Sequence, residues 1–337
     1  MIKKNIFEYS LVVVTIFPLL TIIPLYFNIQ SMVFLYFAII SLGSTHVFAT
    51  VYLLYDRDVQ QFIKKEPINF ILIPAILIFF TIFVFINTPN QYFIIVLLIF
   101  IFNQSDHYGN QNTGVLAFSS LSNRGVSINK FERITLKLGI LCGLLGTYKM
   151  LHPSLLAPSK IFLYDTEFTD KIFLPLYDIG KLSYLILGLI SVIYAIIYLR
   201  KYPTFFVLYL SSVLFFTPIY FIERELVAFF VIATAHGLQY LVFLITHGGN
   251  KKTNPLLNIL LLSVTVFIGY LIWHKSAIFF SNFSSNEMLV NKYVISIIFG
   301  LTFAHFWFDQ NLWKLRISNR REWIKKNYDF IFKKNHG

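Results

Sequence analysis

Apolar runs of about 20 residues, separated by short polar connectors, recur from one end of the chain to the other, and that is the length a helix needs to cross a bilayer. Barrel strands would be half as long and would alternate, so helices are the predicted spanning element. The first run, about Ser10 to Phe27, follows Lys3 and Lys4. It lacks a small-residue cleavage pattern, which predicts an uncleaved first helix and not a signal peptide. Later runs extend from about Ser31 to Tyr55, from Pro67 to Asn87, and from Asn90 into a polar half-helix, Asn103 to Asn112. Others end near Met150 or cover about Leu182 to Leu199, Thr204 to Phe221, Leu226 to Thr246, Leu256 to Trp273 and Tyr293 to Arg316. The pattern predicts an all-α, polytopic membrane bundle of about ten transmembrane helices, one domain over 1–316 followed by a basic amphipathic tail over 317–337. The longest connector, 152–181, is rich in Leu, Phe and Tyr and is expected to form an ordered external cap.

Composition agrees with this reading. With 57% hydrophobic residues, 13% charged and a mean hydropathy of +0.68, the chain is too apolar for an ordinary soluble domain. A formal charge of +12 would suit nucleic acid, but the basic residues sit between and after the spans, a topological pattern that excludes nucleic acid as a partner. In the ten-helix layout most of the 28 Lys and Arg fall on the side of the chain ends. Both termini are therefore expected in the cytoplasm, in a membrane of the bacterial inner (plasma) type. Trp323, Phe330 and Ile331 share one face of the tail, so it is expected to lie along anionic lipids of the inner leaflet, a solvated topogenic tail being the alternative. Cys142 is the sole cysteine and can form no internal disulfide.

The candidate chemistry lies in four solitary histidines, His46, His107, His236 and His305. They fall on predicted spans two, four, eight and ten, which run in the same direction. Counted back from the cytoplasmic charges at 1.5 Å per residue, His46, His236 and His305 lie within roughly 10 Å of a common depth, and His107 joins them if its helix ends near Ser119 to Asn123. Each has polar company on its own face: Thr50 four residues after His46, Gln111 four after His107, Gln239 and Tyr240 three and four after His236, and Asp309 four after His305. His305, Asp309, Trp313 and Arg316 would form one polar stripe on a continuous helix. Neutral imidazole is the commonest protein metal ligand, and such a set suits Fe(II) first, with Zn or Cu as alternatives. Asp309, Gln111, Gln239 and Tyr240 are then the expected catalytic groups, orienting ligands or carrying protons. A buried pocket would account for both Asp106 and Asp309 within a span. Helix-to-helix hydrogen bonding is the plainer role open to each of these histidines. His152, His247, His274 and His336 are read as non-ligands, and no phosphate-loop, zincin or Ser-His-Asp pattern occurs.

Three short pieces, His107-Tyr-Gly, Ala235-His236-Gly237 and His305 with Asp309, give the chain a layout that resembles the Brp/Blh-type bacterial β-carotene dioxygenases. The resemblance implies a non-haem iron held by single histidines on several membrane helices. Thr45-His46-Val47 stands where the family has Pro-His-Gly, and a later close histidine pair has no counterpart here, so architecture carries over better than substrate. Three readings follow. The first is a membrane oxygenase or oxidoreductase acting with O2 on a lipid or other apolar substrate. The second is a proton- or ion-coupled transporter using the same polar layer. The third is a haem-binding membrane protein.

Overall fold

The computed structural model describes residues 4–23, 45–89, 93–147, 166–222, 225–250, 254–281 and 288–332. Every regular element among them is helical. In chain order they are α1 (Lys4–Leu20), α2 (45–53), α3 (Arg57–Lys65), α4 (Ile73–Asn87), α5 (Phe93–Arg124), α6 (Lys130–Gly146), α7 (Thr166–Tyr194), α8 (Pro203–Val213), α9 (Thr217–Phe221), α10 (Glu225–Asn250), α11 (Pro255–Ser281), α12 (Met288–Leu312), α13 (Ser318–Asn327) and α14 (Asp329–Phe332). Wide helical turns, Ile68–Leu72 and Ala195–Leu199, precede α4 and follow α7.

Among the described residues, three stretches are long and apolar enough to cross a membrane: Ile68–Asn87, Phe173–Leu199 and Val231–Asn250. Pro203–Val213 and Pro255–Leu271 are apolar but shorter. The first two stretches expose large side chains along much of their length, with Phe79 72%, Phe83 63% and Leu189 63% open. Several expected spans lie partly outside the described residues, including most of the second and the segment 148–165. Others differ from expectation. The expected seventh span breaks at Leu214–Phe216 into α8 and α9. There the Tyr184 hydroxyl donates to Val213 O and accepts from Phe216 N, both at 3.0 Å, so a side chain takes over backbone groups that a continuous helix would have paired internally. The second half of the expected cap, from Thr166, is helical and runs into α7 despite Pro175. Residues 152–165 of that cap lie outside the described residues.

The chain divides into two compact units, and the division falls inside α10. The first unit comprises 44–89 and 243–329. Its axis is the antiparallel pair α4 and α12, joined by Phe85 on Phe299, Phe70 on Phe308, and Trp307 Nε1 donating to Asn69 O at 2.8 Å. Gly300 permits their approach, since a Cβ there would stand 2.9 Å from Ile78 Cα. At one end, Asp56 caps the short helix α3, accepting from the amides of Asp58 and Val59. Trp323 of α13 is 3% exposed and packs on Phe62, Trp313 and His247. The Trp323 face of the tail, expected to lie on lipid, is thus covered by protein.

The second unit comprises 2–43, 90–242 and 330–337. α1 packs on α8 and α9, and α5 and α7 pack on α6. Gly125, at φ +69°, ends α5 in the left-handed conformation that glycine adopts without penalty. Asn129 and Glu132 form a reciprocal capping box at the start of α6. The buried Glu132 carboxylate also receives Arg124 in two parallel hydrogen bonds of 2.6 and 2.8 Å. In the tail, Phe330 meets Phe7 edge to face.

The glycines generate a paired prediction. Gly300→Ala forces a methyl against the α4 backbone and should cost about 1–3 kcal/mol. Gly114→Ala meets nothing within 4 Å and should raise stability by about 1 kcal/mol through helix propensity. Thermal unfolding of both variants in mild detergent checks the opposite signs.

Candidate metal centre

In the first unit α2 presents His46 and α12 presents His305, both buried, with ring centres 5.0 Å apart and planes at 74°. His305 Nδ1 lies 2.6 Å from Thr50 Oγ1. Its other nitrogen, Nε2, lies 3.5 Å from Oδ2 of Asp309, one turn later on the same helix and also buried. The two ring nitrogens therefore have separate tasks: Thr50 fixes the ring and Nε2 faces the carboxylate. Thr50 was expected to serve His46, one turn before it on the same helix, and its hydroxyl also reaches across to the histidine of α12.

The second unit holds the other pair. His107 on α5 and His236 on α10 have ring centres 4.9 Å apart at 75°, both buried. Tyr108, fully enclosed, lies at 4.3 Å from the His236 ring and donates its hydroxyl to Gln104 Oε1. Beneath them runs a ladder of amides. Gln111 Nε2 donates to His236 O at 2.9 Å and to Gln239 Oε1 at 3.0 Å; Gln239 Nε2 donates to Asn112 Oδ1 at 2.7 Å and to Thr15 Oγ1 at 2.8 Å. Tyr240 follows Gln239 on α10 and is buried as well.

The ring spacing has chemical content. Two imidazoles on one ion with bonds of about 2.1 Å would have ring centres roughly 4.5–5.3 Å apart for ligand angles between octahedral and tetrahedral. Both pairs meet this condition. Trans axial ligands of one haem would have ring centres about 6.3 Å apart, which neither pair matches. Neighbouring ligand atoms on such an ion stand about 3.0–3.4 Å apart, close to the 3.5 Å between His305 Nε2 and Asp309 Oδ2.

Two expectations change. Asp106 is exposed, not enclosed with Asp309, and accepts from Asn110 Nδ2 at 2.8 Å one turn away. The stripe from His305 to Arg316 is interrupted, because α12 ends at Leu312 and Trp313 and Arg316 lie in the turn that follows. Lys314, in the same turn, donates to Asn311 Oδ1.

The sequence reading takes His247 as a non-ligand at a helix end. Its Nε2 lies 2.9 Å from Asp56 Oδ2, and both groups are buried. The same carboxylate oxygen accepts from Trp323 Nε1 at 3.5 Å, while the other oxygen caps α3. One side chain thus joins α3, α10 and α13 inside the first unit. The only advance signal was Asp56 standing before a short amphipathic helix as a cap residue. Tyr108 and Asn112 fall within the polar half-helix Asn103 to Asn112 but were given no role of their own, and Thr15 gave no signal. His152 and His336 lie outside the described residues.

No known protein-family model matches the chain, and no curated protein or solved structure does.

Removing one member of a buried pair leaves the other uncompensated, so Asp56→Ala should cost about 3–5 kcal/mol. Limited proteolysis should then cut between α12 and α13 faster than in the wild type. Unchanged cleavage would show that the aromatic contacts of Trp323 hold α13 without the carboxylate.

Proposed function

We propose that this chain is an integral membrane metalloenzyme, a non-haem iron oxygenase or oxidoreductase that acts with O2 on a lipid or other apolar substrate. The observations that carry the reading are two contacts of one buried histidine in the first unit: His305 lies edge to face with His46, and its Nε2 faces the buried Asp309 while Thr50 holds its other nitrogen. Two imidazoles and one carboxylate are the donors that suit Fe(II) while leaving positions open. Zn or Cu would accept the same donors less distinctively. His107 and His236 supply a second imidazole pair with equally suitable spacing. The common depth read from the sequence supports all four histidines as candidate ligands, one pair in each unit.

The membrane setting is supported by the three long apolar stretches and by the exposed Phe, Leu and Ile along two of them, which water would not tolerate as continuous patches. An apolar substrate dissolved in the same bilayer needs no aqueous route. The bacterial inner membrane, about ten spans and cytoplasmic termini belong to this reading through the charge pattern. Iron would supply the electron chemistry towards O2 that side chains lack. Thr50 orients His305, Asp309 is a ligand or proton carrier, and Gln111 and Gln239 stiffen the ground beneath His236. Tyr240 belongs to the same reading as a proton carrier.

A proton- or ion-coupled transporter is the second reading, favoured by the buried ladder of Gln111, Gln239, Asn112 and Thr15. Metal analysis separates the two. Protein purified in mild detergent should contain iron near one equivalent and show no Soret band. The His46→Ala, His305→Ala double variant should lose at least tenfold in iron occupancy, and the His107→Ala, His236→Ala double variant tests the second pair in the same way. Iron retained in both variants would remove these residues from the ligand set. Metal-free protein after reconstitution, with the fold intact, would favour transport.

A further inference from the structure

After Leu312 the chain turns through Lys314, Leu315 and Arg316 and enters α13 at Ser318. No side chain caps this helix from Ile317, and its first turn contains no acidic residue. The leading amides of a helix have no partner within it and favour an anion. Asn319 Oδ1 accepts from Arg320 N at 2.8 Å, so one amide of that turn is already engaged.

Arg320 is the independent sign that something negative belongs here. Its side chain is 0% exposed. Nη2 lies 2.9 Å from Glu66 Oε1, and the guanidinium lies over the rings of Phe62 and Phe70 at 4.2 and 5.2 Å. Among the described residues, Nε and Nη1 find no hydrogen-bonding partner. A guanidinium carries five donors, and burying them incompletely paired is costly. Nearby, Lys314 donates to Asn311 Oδ1 at 2.9 Å. Burial, then repulsion from Arg316 and Arg320, holds the Lys314 ammonium below the usual lysine range against a smaller opposing pull from Glu66. Three cations thus share the field of one carboxylate, at the end of a helix that reads as emerging from the bilayer.

We propose that the turn between α12 and α13 is a binding site for a phosphate group, carried by an anionic lipid headgroup of the adjoining leaflet. Lys314, Arg316 and the leading amides of α13 contact the phosphate, and the enclosed Arg320 supplies positive field behind them. The tail would therefore meet lipid through this basic turn, since its Trp323 face is already covered. The proposal rests on the membrane reading and is independent of the metal.

The test uses the full chain in neutral detergent, with thermal unfolding followed during titration with phosphatidylglycerol, phosphatidylcholine or sodium phosphate. Phosphatidylglycerol should stabilise the wild type and phosphatidylcholine should not. The Lys314→Ala, Arg316→Ala variant changes side chains that are not fully enclosed, and it should need about tenfold more phosphatidylglycerol for half the effect. Lys325→Ala, at the far end of α13, should respond like the wild type. Equal response to both lipids, or a double variant that responds like the wild type, would overturn the site. Sodium phosphate reproducing the whole effect, with nothing added by the lipid, would overturn the lipid headgroup as its source. A chain that stays in solution without detergent would refute the membrane reading itself.

Discussion

The hydrogen bond between Thr50 and His305 is small, yet the account of the site depends on it. An imidazole enclosed among apolar helices must have both nitrogens provided for, because a buried polar group without a partner is costly. Thr50 takes Nδ1, which turns Nε2 towards Asp309 and brings the ring edge to face across His46. Without that constraint His305 could rotate about its side-chain bonds and the proposed ligand would not be held in place. The other pair is held by ring packing and by the backbone. His236 is held between the His107 ring and the Tyr108 ring, and its own carbonyl anchors the amide ladder.

The helical class and the apolar character were legible because they are written in periods and run lengths. The four histidines were legible because ionisable groups stand out against such a background. Their pairing was not. That Thr50 would reach across to His305 is a property of how α2 and α12 pack, and no spacing within either helix encodes it. Gln111 and Gln239 could be picked out from their helical offsets, but their bond to one another depends on the approach of α5 and α10. Asp106 shows the opposite error. Its place inside an expected span suggested enclosure in a pocket, whereas it accepts from Asn110 on an exposed face. Helix ends were also poorly legible. Apolar content carried the expected seventh span through Leu214–Phe216, where Tyr184 breaks it, and carried the last span beyond Leu312.

The first unit has a rigid edge that the apolar pattern did not announce. Asp56, His247 and Trp323 form one buried polar knot, and the enclosed Arg320 pairs with the half-buried Glu66. Charge in these positions was read as topology, and part of it is. The same residues also fasten α13 to the α3 region, so α13 belongs to the packed first unit. α12 is thereby held near both ends of its polar stretch, by Trp307 on Asn69 and by the turn into α13. Such support matters for His305 as a proposed ligand, since a side chain is only as well placed as the helix that carries it.

X-ray absorption at the iron edge, on wild-type protein reconstituted with Fe(II), tests the central claim most directly. The account predicts a first shell of nitrogen and oxygen at about 2.1 Å with outer scattering from two or more imidazoles. A shell containing sulfur or a porphyrin, or iron bound without any imidazole, would contradict it.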